Sequence, residues 1–500
     1  PTSAEDHKLP HHQLPTSELA VVVHETSNDR LEGSPLQRFA PSEMSQRLRR
    51  TPAWGAAVNS IAFMCVPRSV PACFAATGWL LGGVSLVYSS VVTFDTGMLL
   101  GTVCAAVPGV SSFPGLAGES GAALSARCGG GSAQQAHWRT IGWWVVAVLQ
   151  HATYYLTGVS ELIYFEQFMG QLFETSPLCQ WQWLLIVSLL SLPVLQVPSF
   201  HTTRIAALVL GVLPLALNVI VALYEIALVE PWNCEPGPTY SVWPPTASKL
   251  AVGFSAIAYT FGGHGLYPEQ IREMAQPSRW PTVMIATYAT CIPLYIIVGI
   301  LGYAAYGDFS RANLNLNFPD NAANRLSIGV QAVGELFFVL ESDLVSILAI
   351  ELGLGLDPSS CTSPPWQGMP PWLGRLGIRS CFLASQVLVA QMLLSGEGDT
   401  LLALQSLIGS VGMVAFTYFL PYIFHALLSR QPLSRGRKIW AALNVTLGLV
   451  VMITGLGTSL AELAQGAHGL FAGDCHLAWS YAPNAPDDPC NSSGLPPWET

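Results

Sequence analysis

Charge is what this chain lacks. Asp, Glu, Lys and Arg make up only 10% of its 500 residues, against 51% hydrophobic; soluble domains run to about 25% charged. That scarcity excludes an ordinary soluble domain. Ile205–Leu223 and Met284–Tyr306 hold no charge at all. No basic block offers itself to nucleic acid. No Gly-rich phosphate loop ends in Lys, and no His-Glu-x-x-His occurs, which argues against an ATP-driven pump and a zinc peptidase. A membrane enzyme would need catalytic groups gathered at one interface, and none are found. No metal or other cofactor is expected, and the net charge of −10 points to no partner.

What fills the chain instead is apolar segments of membrane-crossing length. Eleven spans are expected near 53–76, 79–106, 140–166, 181–198, 205–229, 249–267, 281–306, 326–352, 374–395, 400–428 and 439–463. A tight turn near Gly78 separates the first two. Residues 1–50 are polar and lack apolar periodicity, so they read as a disordered cytoplasmic tail. Residues 51–465 form the transporter domain, with repeats at about 53–229 and 249–428 and an extra helix at 439–463; residues 466–500 are an extracytoplasmic tail.

Orientation follows from Lys and Arg in the short connections. With the N-terminus inside, the inner side carries Arg127, Arg139, Arg204, Arg272, Arg279, Arg375, Arg379, Arg430, Arg435, Arg437 and Lys438. The outer side carries only Lys249, Arg311 and Arg325. Cys179 and Cys234 then share the outer side, as do Cys475, Cys490 and the sequon at Asn491. Pairing of Cys179 with Cys234 and glycosylation of Asn491 are expected there.

Residues 251–274 hold the most telling pattern. An apolar span is interrupted by Gly262, Gly263 and Gly265 around His264, with Pro268 close behind. Broken backbone inside a bilayer is tolerated only where protein buries it or it lines a cavity. Discontinuous helices of this kind build transporter binding sites. Ahead of the break, Tyr259, Thr260 and Phe261 offer hydroxyl and aromatic groups to a ligand.

Tyr259-Thr-Phe-Gly-Gly-His-Gly-Leu-Tyr-Pro-Glu-Gln-Ile-Arg-Glu-Met274, with Pro277 and Trp280-Pro281, resembles the sixth helix of the amino acid/auxin permease family. Ile300–Asp308 is similar to the end of that family's seventh helix, and Pro198-Ser-Phe-His201 with Arg204 to the loop before its fifth. Leu407-Ile-Gly-Ser-Val411 with Pro421 resembles its tenth helix, and Pro71–Trp79 the end of its first. The resemblance covers roughly residues 53–460. It implies an all-α integral membrane protein of about eleven transmembrane helices. The fold implied is the leucine-transporter-like five-plus-five inverted repeat, with broken first and sixth helices facing each other. It further implies a small-molecule substrate, an amino acid or related carboxylate, moved with a proton or sodium. The first span departs from the family's Gly-rich break. It reads Met64-Cys-Val-Pro-Arg-Ser-Val-Pro71, in which Pro67 and Pro71 can still break the helix.

Arg68 stands out, because a charge within a membrane segment normally faces a cavity or a partner. It reads as a guanidinium for a substrate carboxylate or as a fixed positive charge in place of a cation. Against that stands an Arg bonded to helix-end carbonyls. Cys65 and Ser69 flank it as further substrate-side candidates. His264 is a candidate proton carrier, or else a neutral cap on a freed carbonyl. In span three, His151, Tyr154, Tyr155 and Gly158 share one face. Tyr155 is taken as a substrate contact and Glu161 as an ion-coupling carboxyl. In span eight, Glu335, Ser342, Asp343 and Ser346 are the ion-coupling candidates; Glu335 and Asp343 either share a polar cavity or pair with Arg325 or a neighbouring helix.

The sequence thus reads as a proton-coupled amino acid symporter in a plasma, vacuolar or other endomembrane. An auxin (indole-3-acetic acid) importer is the alternative within the family. A non-transporting amino acid sensor is the alternative outside it.

Overall fold

The computed structural model describes residues 51–107, 109–110, 112–173, 176–197, 204–228, 238–318, 321–356, 370–394, 400–429 and 433–466. Cys234, Cys475, Cys490, Asn491 and the Pro198–His201 motif lie outside the described residues. So do residues 1–50.

Every named element is a helix. This is how an apolar chain satisfies its backbone without water. Ala53–Met64 opens span one, and Val70–Ala106 completes it and runs on as span two. Span three is Ser132–Leu172, span four Gln180–Val194, and span five Leu213–Leu228 behind a π-helical turn at Ala207–Val212. Ala247–Thr260 and Tyr267–Glu273 form the two halves of span six. Trp280–Tyr306, Ala322–Gly353 and Pro371–Leu394 are spans seven to nine. Thr400–Ile408 and Leu420–Leu428 form span ten around two π-helical turns, and Arg435–Gly466 is span eleven.

Among the described residues, five helical stretches are long and apolar enough to cross a membrane, one of them running through spans one and two, and the bent span ten makes a sixth. Spans three and eight are not among them. They hold Glu161 and Glu166, and Glu335, Glu341, Asp343 and Glu351, all buried inside the bundle. The outward faces are apolar: Val148, Leu189, Ile439 and Ile453 are all largely exposed, as a lipid-facing surface requires.

Gly78 divides spans one and two. Its φ of 73° lies where residues with a Cβ rarely go. The chain ahead of span six passes so close that a Cβ there would stand 2.7 Å from the Val242 carbonyl oxygen. Trp79 N donates to Ser241 O at 2.9 Å, spending an amide freed by the break on that neighbour. A helix absent from the expected spans, Phe113–Arg127, packs along span three. Ser112 caps it by accepting from Gly115 N, and a proline occupies its first turn. Its Gly- and Ala-rich sequence gives little amphipathic signal. Cys179 is disulfide-bonded; its expected partner, Cys234, falls outside the described residues.

Arg379 ties three spans together. Its Nε and Nη2 hold both carboxylate oxygens of Glu351, at 2.6 and 2.9 Å. Its Nη1 donates to the carbonyls of Leu195 and Val197 at the end of span four. Removing one member of such a buried pair leaves a bare charge and costs about 3–5 kcal/mol. Arg379→Ala should therefore lower the unfolding temperature in detergent sharply. Arg379→Met combined with Glu351→Leu should recover most of the loss. An Arg379→Ala protein that melts with wild type would contradict this role.

Candidate functional site

Two helices break at the centre of the bundle. Span one stops at Met64 and resumes through a 3-10 turn at Pro67–Ser69. Span six stops at Thr260 and resumes through His264–Leu266. Each break frees carbonyls, and one side chain serves both. Tyr295 of span seven sends its hydroxyl to Met64 O, and to Thr260 O at 2.6 Å. The same oxygen faces the amide of Val66 at 3.4 Å. A hydroxyl has one proton to give, so the two carbonyls share it and the breaks are held edge to edge. Thr51 N donates to Glu273 O, and Ala275 N to Thr51 O, tying the far ends of the same two spans. Gln150 Nε2 donates to the freed Gly265 carbonyl at 2.7 Å.

The glycines of span six act by size. None of the three has a positive φ, so conformational freedom is not their reason, contrary to the simplest expectation. Gly265 admits the Tyr154 hydroxyl, which would lie 2.6 Å from an added Cβ, and Gly262 admits the Met413 side chain.

Arg68 sits in the first break, buried to 6% exposure. Nη1 donates to Glu335 Oε1 at 2.8 Å and to Gln331 Oε1 at 3.2 Å. Nη2 lies 3.6 Å from Glu161 Oε2. The guanidinium carbon lies 3.6 Å above the Tyr164 ring and 5.3 Å from that of Phe168. Spacing explains the convergence: Gln331 and Glu335 are one turn apart on span eight, and Glu161, Tyr164 and Phe168 share a face of span three. Glu161 and Glu335 are neighbours through that one guanidinium, each within 4 Å of it. Tyr259, from the lip of the sixth break, donates to Glu161 Oε1 at 3.0 Å. The cluster is therefore one cation between two carboxylates, stacked on an aromatic ring.

One side of the cluster is closed. Gln331 Nε2 donates to Asn315 Oδ1 at 3.0 Å, and Asn218 Nδ2 reaches the same oxygen at 3.0 Å. Tyr164 OH donates to Ala312 O at 3.2 Å. The turn at residues 312–317 thus lies across Arg68 from that side.

The other expected residues divide. Cys65 is buried next to Arg68, and Ser69 Oγ turns back to Val66 O at 3.4 Å. Thr260 Oγ1 is spent on Ile257 O, and Phe261 packs edge-on to Tyr295 at 4.9 Å. Gly263 is buried in the break. His264 faces away from the ion cluster: its Nε2 donates to Thr93 O of span two at 2.7 Å. It meets a backbone carbonyl, as in the second of the two readings given for it above. Tyr155 turns to span nine. Its hydroxyl meets Ser385 at 3.1 Å and its ring Phe382, both on span nine. Its neighbour Tyr154 is the residue turned to the breaks. Asp343 accepts from Gln386 Nε2 at 2.6 Å and shares no contact with Glu335. Ser346 meets His151 Nδ1 at 3.1 Å, and Ser342 is buried on the same helix.

Tyr295, Tyr164 and Gln331 were not anticipated. Tyr295 follows Pro293 in span seven, and Gln331 lies four residues before Glu335; both signals were legible. Glu341 is also fully buried, with neither carboxyl oxygen bonded among the described residues. Among the described residues no three His, Cys, Asp or Glu side chains converge as metal ligands would.

A helical membrane bundle organised around two broken helices defines the class of the solute carriers. The sequence profile of the family described as transmembrane amino acid transporter protein matches residues 53–461, and the chain belongs to that family. The Arabidopsis thaliana amino acid transporter AVT1B is 25% identical over 249 residues, 49% of this chain and 42% of that protein. AVT1C of the same plant is 24% identical over 220 residues, 44% of this chain and 37% of that protein. The vesicular inhibitory amino acid transporter of Mus musculus is 20% identical over 333 residues, 65% of this chain and 61% of that protein. The matches thus span less than half the length of the plant relatives. Among solved structures, MhsT in complex with L-phenylalanine overlays with a TM-score of 0.47 at 10% identity, covering 81% of this chain and 98% of that one. A Na+-coupled sialic acid symporter gives 0.42 at 11% identity, covering 85% and 93%.

Tyr295→Phe removes the one proton that two freed carbonyls share. Leaving buried acceptors unmet costs about 1–3 kcal/mol. The variant should melt lower, and amide exchange should quicken at both breaks, near residues 65–67 and 261–264. Faster exchange at one break alone would contradict the shared strut.

Proposed function

We propose that this chain moves an amino acid across a membrane together with a proton. Arg68 is the carboxylate receptor, and Glu161 with Glu335 is the proton site. The observation that carries this reading is the guanidinium held between two adjacent carboxylates at the break of span one. Family membership, and the printed names of the relatives, support an amino acid as the substrate.

The backbone favours Arg68 as receptor. At the sixth break the amides of Gly262, Gly263 and Leu266 are already taken, by the carbonyls of Tyr259, Phe261 and Gly263. A substrate carboxylate has a planar fork of donors in the guanidinium, whose geometry matches it. The carbonyls of Met64 and Thr260 both converge on the Tyr295 hydroxyl, and each keeps a second lone pair that suits an ammonium group. Competition for Arg68 supplies the coupling. With the guanidinium between them, the repulsion between the two carboxylates is offset and both stay ionised, leaving one net negative charge. Once a substrate carboxylate takes it, two neighbouring carboxylates are left without a cation, and they cannot both stay ionised. One takes a proton. Substrate and proton then favour each other's binding, and the linkage is reciprocal.

Uptake of labelled amino acids and indole-3-acetic acid into proteoliposomes, under imposed proton or sodium gradients, tests this. Wild type should accumulate an amino acid when the proton gradient is inward. Arg68→Lys keeps the charge but loses the fork, and affinity should fall about 10- to 100-fold, the worth of one charge-assisted hydrogen bond. Glu335→Gln should still exchange substrate but no longer accumulate it against a gradient. Accumulation by Glu335→Gln, or dependence on sodium alone, would contradict the proton site. Saturable binding with no uptake would mark a sensor instead.

A further inference from the structure

An open groove lies on the lipid-facing side, between spans two, seven and eleven. Val91, Phe94, Ile285, Ala289, Ile292 and Pro293 wall it, over about 790 Å³. Clefts that take a small molecule are roughly 300–1,000 Å³. Val91 and Ile285 are more than half exposed. One corner is polar, made by Asp95, Arg437 and Trp440.

The charges in that corner are unevenly satisfied. Asp95 has both oxygens occupied: Oδ1 takes Arg437 Nη2 at 3.2 Å, and Oδ2 takes the Tyr422 hydroxyl at 2.8 Å. Among the described residues, Arg437 gives this one side-chain bond of the five its guanidinium has to offer. Its side chain stays 59% exposed. Arg435 and Lys438 are exposed beside it at the start of span eleven. A hydrocarbon trough therefore ends in a guanidinium with donors to spare, while Arg435 and Lys438 stand on other faces of the same turn and add only to the local positive potential.

We propose that this groove holds one anionic glycerophospholipid, its acyl chain in the trough and its phosphate on Arg437. The chemistry selects this occupant. A sterol has no anion for Arg437. Phosphatidylcholine offers a phosphate, but its own cation opposes the three basic residues. An anionic headgroup gives Arg437 its phosphate and suits the positive potential of all three, as basic pockets between membrane helices do. The site also reaches the centre of the protein. Its floor is Tyr288, whose ring meets Phe94 at 5.3 Å and lies parallel to Phe261, a residue of the sixth break, at 6.5 Å. A lipid chain on Tyr288 braces the back of that break. On the transport reading above, lipid occupancy sets how easily span six moves.

The binding test needs no substrate, so it stands or falls apart from that reading. The purified full chain is equilibrated with equal amounts of phosphatidylserine, phosphatidylcholine and cholesterol, and bound lipid is read by native mass spectrometry. Wild type should retain one phosphatidylserine in preference to the other two. Arg437→Gln should lower that retention about fivefold, the factor for one basic residue near an anionic lipid. Ala289→Trp, which fills the trough, should remove both phospholipids. Should Arg437→Gln not fold, Arg435→Gln with Lys438→Gln reads the charge, and Ala289→Trp still reads the chain. Equal retention of the two phospholipids by wild type, retention of cholesterol alone, or wild-type retention of phosphatidylserine by the charge and trough variants would each overturn the proposal.

Discussion

A guanidinium buried in a membrane bundle needs partners, and much of the central architecture serves to supply them to Arg68. Span three brings Glu161 and the ring of Tyr164, and span eight brings Glu335 and Gln331. Hydrocarbon cannot hydrate a charge, so these contacts replace water. Breaking the helix at Cys65–Val66 places the guanidinium among spans three and eight rather than against lipid. One arginine thus draws three spans together at the break of span one.

The same economy governs the breaks. An interrupted helix frees carbonyls that must be met inside the protein. Tyr295 meets one from each half of the pair. This ties spans one and six at their breaks through one side chain. A single shared proton is a weak clamp, easily surrendered when the spans move. The Arg379–Glu351 pair is the opposite kind of tie, bidentate and capped by two further carbonyls. Rigid and yielding connections therefore fall in different parts of one bundle.

Much of this was legible in the sequence, for stated physical reasons. The glycines around His264 and the prolines around Arg68 announced both breaks, because backbone disruption leaves a compositional mark. The polar residues of spans three and eight stood out against apolar neighbours. Their pairing did not, since Arg68 and Glu335 are 267 positions apart and no local pattern links them. Direction failed for similar reasons. Tyr155 and Tyr154 differ by one residue, about 100° around a helix, and only packing decides which faces the breaks. Asp343 and Glu335 differ by about 80°, enough for one to meet span nine and the other Arg68. His264 was placed correctly in the break, but its direction depended on a carbonyl in span two, which sequence spacing does not reveal.

The central claim is that a substrate carboxylate and the Glu161–Glu335 pair compete for Arg68. Calorimetry of substrate binding to purified protein, repeated in buffers of different ionisation enthalpy, counts the protons taken up on binding. The competition predicts uptake of about one proton per substrate in wild type and about none in Glu335→Gln, as linkage requires. Substrate binding by wild type with no proton uptake, or equal uptake by both proteins, would contradict it.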